Sequence, residues 1–274
     1  MYRIIACDLD ETLLCTDRTV SQKNIEAITA ARKAGVRFVP ATGRGFASVQ
    51  RTLKELGLWN EEGEYVISFN GGAITENREN RLLSVSGMDF ARAEELYRRG
   101  MTYDVCVHVY TIDTVYIHNI NQGEIDFLNQ RMAYKDFPDE DLSALQGQTI
   151  LKVLYQNTDY NYLRQIQQEL LDTTRQLDVS FSSNRYIEFN QQGVNKGAGL
   201  RKLAELLGVD IKDTIAIGDN WNDFPMIREA GLGIGVANTI ADMKAECDHI
   251  TRATCDEDAI AEVIYEKVLA EKGA

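Results

Sequence analysis

The sequence predicts an α/β protein: a core built on a parallel sheet, interrupted by an inserted α/β domain of different texture. Short apolar runs alternate with amphipathic helical patterns at both ends of the chain, which is the grammar of βαβ units. Acidic and polar motifs follow those runs directly, where open α/β sheets bind their ligands. Between residues 84 and 188 the pattern shifts to alternating strands able to pair antiparallel, as in a sheet covered on one side.

The run Ile4-Ile5-Ala6-Cys7 is the first strand. Ser21 caps a helix reaching about residue 34, with Ile25, Ile28 and Ala31 on one face and Gly35 as its stop. A strand at 36–41 leads to a helix at 46–56, and a third strand, 65–69, ends at Asn70-Gly71-Gly72. In the insert, helices at 91–99, 125–133 and 160–172 alternate with strands at 105–110, 115–118, 151–156, 179–182 and 186–189. The first grammar then returns with a helix at 197–207, strands at 214–217 and 231–236, and a closing amphipathic helix at 257–269.

Composition narrows the function. A chain of 274 residues that is 44% hydrophobic and 26% charged, with three prolines, fits one large domain carrying an insertion or two domains, not a disordered segment. A net charge of -13 without any basic run excludes nucleic acid as the expected partner, because phosphate backbones need clustered Lys and Arg. Cys7, Cys15, Cys106, Cys247 and Cys255 lack a CxxC spacing, and His108, His118 and His249 form no ligand pattern with them. Free thiols in a reducing compartment follow. With no signal peptide and no apolar run near ~18 residues, a soluble cytoplasmic protein that does not engage membranes is expected.

The chemistry lies in the loops. DLDETLL at 8–14 sets Asp8 and Asp10 at the end of the first strand, a place where carboxylates bind a hard divalent cation such as Mg²⁺. With that charge neutralised, one carboxylate can act as nucleophile and the other as acid and base. Thr42-Gly43-Arg44 forms a strand-to-helix turn whose hydroxyl and open N–H groups suit a phosphate oxygen. Lys196 opens a helix, locally unfavourable against the helix dipole, so a neighbouring anion gives it a reason. Gly218-Asp219-Asn220-Trp221-Asn222-Asp223 repeats the acidic strand end, with Asn222 or Asp223 also able to cap the next helix.

Taken in order, DLDETLL, ATGR, FNGG, GVNKGAGL and GDNWNDFPMI resemble the haloacid dehalogenase superfamily, specifically its Cof-type phosphatases of subfamily IIB. The resemblance implies a Rossmann-like core at 1–83 and 189–274 with a cap domain at 84–188. It implies that Asp8 is the nucleophile, forming an aspartyl-phosphate, and that Asp10 protonates the leaving oxygen and then activates water. It implies Mg²⁺ as cofactor, bound by Asp8, Asp219 and the Asp10 carbonyl. Thr42 and Lys196 would hold phosphoryl oxygens and Asn222 would contact phosphate or substrate, while Asp223 would orient Lys196 or a metal-bound water. Gly43, Arg44 and Asn70 would line the pocket.

One position departs from the pattern. Glu11 stands where the family usually has glycine. A carboxylate about 6 Å from a phosphate would repel it by roughly 2–3 kcal/mol per charge at an effective dielectric of about 20. The side chain is therefore expected to turn away from the site, on a backbone whose dihedrals suit a residue with a Cβ. The function expected is a Mg²⁺-dependent phosphatase of small phosphorylated metabolites, sugar phosphates first. The competing readings are a phosphomutase with the same aspartyl-phosphate and a non-catalytic phospho-ligand binder in which Glu11 has spoiled the chemistry. Neither the natural substrate nor the oligomeric state is written in a motif.

Overall fold

The computed structural model describes residues 1–129 and 131–270. In chain order its strands are β1 (Ile4–Cys7), β2 (Arg37–Pro40), β3 (Tyr65–Ser68), β4 (Ala73–Glu76), β5 (Arg81–Val85), β6 (Cys106–Thr111), β7 (Val115–His118), β8 (Lys135–Asp136), β9 (Ile150–Gln156), β10 (Leu177–Ser182), β11 (Tyr186–Gln191), β12 (Thr214–Gly218), β13 (Leu232–Gly235) and β14 (His249–Ile250). The chain divides into two compact units, Met1–Val85 with Asn195–Ala274, and Ser86–Val194. The boundary read from sequence at 188/189 cuts through β11. That strand pairs with β10 as far as Gln191, so the division falls a few residues later.

The first unit holds a parallel five-stranded sheet in the order β14-β13-β12-β1-β2. Within it β1 is apolar without interruption because both of its faces are covered. Ile5 and Cys7 pack with Ile215 and Ile217 against the helix Gln22–Lys33 and the C-terminal segment. Ile4 and Ala6 face the other way, toward Leu200, Leu203 and Met226. Pro40 is tolerated because β2 is the last strand of that sheet, where a missing N–H costs least. A single parallel bridge, Ala41 to Ile67, ties β2 to the antiparallel sheet β3-β4-β5.

β4 and β5 were not expected from the sequence. Their segment, AITENRENRLLSV, is crowded with charge and lacks clean alternation, yet Thr75 and Glu76 are buried in it. Glu76 keeps its charge there by accepting from the Gly63 N–H and from Arg81. Two expected helices also differ. The one at 46–56 is a 3₁₀ turn, Phe46–Val49, running into a short α-helix, Gln50–Glu55. The closing helix begins α-helical at Ala259–Val263 and widens to a π-helix over Ile264–Leu269.

The second unit is a six-stranded sheet, β10-β11-β9-β6-β7-β8, antiparallel except for the β7–β8 pair. The helices Phe90–Gly100 and Tyr160–Glu169 cover one face through Leu96, Tyr97, Leu163 and Ile166 on Val107, Val153 and Phe189. The helix expected at 125–133 starts earlier, at Gln122, because the Asn121 side chain caps it by accepting the Glu124 N–H. It closes at Leu128, and residue 130 of that expectation lies outside the described residues. No helix among the described residues is long and apolar enough to cross a membrane.

Candidate active site

Sheet register brings the acidic loops together. Cys7 of β1 pairs with Ile217 of β12, and the Asp8 N–H continues the ladder to the Ile217 carbonyl at 2.9 Å. Asp8 and Asp219 therefore leave neighbouring strands side by side at their carboxyl ends. On the other flank the Ala41 N–H bonds the Cys7 carbonyl, which delivers Thr42 to the same end. Thr42 is almost wholly buried, and its hydroxyl oxygen accepts the Arg44 N–H at 3.1 Å, with the half-buried Gly43 between them. Asn70, also buried, donates its N–H to the Thr42 carbonyl at 3.0 Å.

Lys196 sits at the centre with no exposed surface. Asn195 caps its helix by accepting the Ala198 N–H, which aims the first residue of Lys196–Leu206 inward. The ammonium donates to Asp8 Oδ1 at 2.5 Å and to Asp223 Oδ1 at 2.6 Å. Burial alone would lower the lysine pKa, but the two carboxylates outweigh it and hold it above its ordinary value. Asp223 uses its second oxygen to accept the N–H groups of Asp219, at 2.9 Å, and Asn220, at 3.2 Å. That turn needs Gly218, since a Cβ there would lie 2.4 Å from the Cβ of Asp223. Asn222 stands half-buried in the same turn.

The carboxylates of Asp8, Asp219 and Asp223 lie within 4.8 Å of one another, all buried. One lysine does not balance them. Burial, followed by the charge of Asp223, pushes Asp8 up to about 7 despite Lys196. Burial and the charges of Asp223 and Asp8 likewise raise Asp219 well above the carboxylate range, against the Thr12 hydrogen bond. An all-oxygen donor set with excess negative charge suits a hard divalent cation. The Asp10 carboxyl is not in this cluster; it pairs with the Arg44 guanidinium instead.

Sequence reasoning passed over Thr12, whose hydroxyl donates to Asp219 Oδ1 at 2.7 Å. The signal was available in DLDETLL, a hydroxyl residue two places after the second aspartate. Glu11 is exposed, so its side chain turns to solvent as expected. Its backbone departs from expectation: φ is +62°, the left-handed region that glycine favours.

A family model described as haloacid dehalogenase-like hydrolase matches residues 5–264. The Bacillus subtilis protein YxeH is 30% identical over 271 residues, covering 98% of this chain and 100% of its own. The 5-amino-6-(5-phospho-D-ribitylamino)uracil phosphatase YcsE of the same organism is 28% identical over 97% of this chain and 96% of its own. Among solved structures, a haloacid dehalogenase-like hydrolase from Bacteroides thetaiotaomicron superposes with a TM-score of 0.83 at 28% identity, covering 97% of this chain and 99% of that one.

Proposed function

The chain belongs to the haloacid dehalogenase-like hydrolases, and from that premise we propose that it is a Mg²⁺-dependent phosphatase cleaving phosphate monoesters of small metabolites. The observation that carries the reading is the buried Lys196 ammonium held between Asp8 and Asp223 beside a third carboxylate, Asp219. With a divalent cation held among those carboxylates, the arrangement would suit an anionic phosphoryl group, whose transfer needs positioning and charge neutralisation more than covalent chemistry.

An Asp8 oxygen attacks phosphorus, the ester P–O bond breaks, and Asp10 gives its proton to the departing alcohol oxygen. Asp10 then takes a proton from water as that water attacks the aspartyl-phosphate. Inorganic phosphate leaves and the Asp8 carboxylate returns. Arg44 fixes where the Asp10 carboxyl sits. Lys196 and the Thr42 hydroxyl hold phosphoryl oxygens through both steps, joined by N–H groups of the 42–44 turn. Mg²⁺ bound by Asp8, Asp219 and the Asp10 carbonyl would add positive charge beside those oxygens.

We assign phosphorylated sugars and polyols as the substrate class, supported by the relative named for a phospho-ribityl compound. The choice among them falls to the inserted unit, Ser86–Val194, as the cap domain. The five free thiols fit a cytoplasmic setting. The test is phosphate release by the full chain from para-nitrophenyl phosphate and from a panel of sugar and polyol phosphates. Turnover with Mg²⁺ that stops on chelation is the expected result. Binding without release of phosphate would overturn the reading in favour of a non-catalytic binder, and transfer to a second sugar in favour of a phosphomutase.

A further inference from the structure

The loop after β13 touches both acid-bearing turns. Ile240 donates its N–H to the Asp219 carbonyl at 3.0 Å, and the Thr239 hydroxyl donates to the Gly218 carbonyl at 3.2 Å. Asn238 reaches the other turn, its Nδ2 donating to the Glu11 carbonyl at 2.7 Å. The far end of the same amide is engaged as well, since Oδ1 accepts the Cys255 N–H at 2.9 Å. These two bonds set the amide's orientation: only the nitrogen can donate to a carbonyl and only the oxygen can accept from an N–H. The loop is itself anchored, with the Ala237 N–H donating to the Ala253 carbonyl at 3.1 Å and to the Thr251 hydroxyl at 3.0 Å.

The residue so gripped is Glu11, whose φ of +62° is disfavoured for a side chain with a Cβ. It lies between Asp10, which pairs with Arg44, and Thr12, which bonds Asp219. Relaxation of φ at position 11 would swing its two neighbours relative to each other. The Asp10 carboxyl and the Thr12 hydroxyl could not then both keep their partners.

We propose that Asn238 is a positioning residue of the reaction, clamping the left-handed Glu11 peptide so that Asp10 and Thr12 stay in register with the Asp219 turn. The inference rests on the roles given above to Asp10 and Asp219. Asn238 itself touches none of the residues placed at phosphorus; it acts through the backbone of Glu11.

The experiment compares full-length wild type, Asn238→Ala, Glu11→Gly and the double variant on para-nitrophenyl phosphate with Mg²⁺. Asn238→Ala should lower kcat about fivefold with KM within about twofold, the size of one lost net hydrogen bond felt in the transition state. In the Glu11→Gly background the same substitution should cost less than about twofold, because glycine holds a positive φ without help. Unchanged kcat in Asn238→Ala, or an equal loss in both backgrounds, would overturn the proposal. Amide hydrogen exchange over residues 9–14 supplies a readout independent of turnover, and should quicken about fivefold in Asn238→Ala. If wild type releases no phosphate, the phosphatase reading fails on that result alone, while unchanged exchange in Asn238→Ala refutes the clamp.

Discussion

Thr12 and Asp219, 207 positions apart in the chain, are joined by a hydroxyl-to-carboxylate hydrogen bond of 2.7 Å that links the two acid-bearing turns. A hydrogen bond to a charged group contributes roughly 1.5–3 kcal/mol, and here it holds one Asp219 oxygen in place while the other stays available. Thr12→Val keeps the shape and removes the donor. The Mg²⁺ concentration for half-maximal turnover should rise about tenfold, with kcat at saturating Mg²⁺ less affected. An unchanged Mg²⁺ titration would mean that Asp219 is positioned without Thr12.

Asp8→Asn should lower phosphate release by more than about 10⁴-fold, since an amide cannot form the aspartyl-phosphate. The fold should survive, because Lys196 keeps Asp223 as a partner. Residual activity near that of wild type, measured after excluding deamidation by mass spectrometry, would remove Asp8 from the nucleophile's role.

Lys196→Met preserves volume and strips the charge from the centre of three buried carboxylates. Breaking a buried ion pair from one side costs about 3–5 kcal/mol of stability, and losing a preorganised donor costs on the order of a hundred- to a thousandfold in rate. Both losses are expected together, read by urea unfolding and by kcat. Lost stability with normal kinetics would leave Lys196 a structural residue only.

The meeting of these groups was legible because parallel sheets buried on both faces write their strands as plain apolar runs. Ile4-Ile5-Ala6-Cys7 and the run from Thr214 to Ile217 each end in an acidic turn, and their register alone sets Asp8 beside Asp219. Lys196 stood out because a lysine opposes the dipole at a helix start. Thr12 could be picked out only as a hydroxyl two places after Asp10, while its partner lies more than 200 positions away; Asn238, whose partner Glu11 is as distant, carried no local signal. β4 and β5 were hidden for a local reason: the charge that breaks their alternation is satisfied by pairing, as between Glu76 and Arg81.

His108 should make the second unit sensitive to acid. It is fully buried, facing Glu124 at 3.5 Å and the rings of Tyr110 and Tyr186, with Lys152 and Arg185 nearby. Burial first, then the two cations, lower its pKa to about 3. The folded state thus binds fewer protons than the unfolded chain between about pH 3 and the ordinary histidine pKa of about 6.5, and stability falls as pH drops through that window. Between about pH 8 and pH 5, wild type should lose about 2 kcal/mol more than His108→Gln in urea unfolding. Equal losses in the two proteins would show that His108 is not the group titrating.

Glu11→Gly tests whether the departure at position 11 damages the chemistry. Two effects oppose each other. Glycine relieves the disfavoured φ of +62°, while its freer unfolded chain offsets that gain, so net stability should move by less than about 1 kcal/mol. Electrostatics should change little too. The Glu11 side chain is exposed, and a carboxylate in water is screened far below the roughly 2–3 kcal/mol it would exert at ~6 Å inside the site. Its charge still raises the Asp219 pKa, but by less than burial or the charges of Asp223 and Asp8 do. With the carbonyl still held by Asn238, kcat/KM on small phosphate esters should change by less than about tenfold, equivalent to ~1.4 kcal/mol. A gain of a hundredfold or more would mean that the native glutamate suppresses turnover, and the protein would then be better described as a phospho-ligand binder than as a phosphatase.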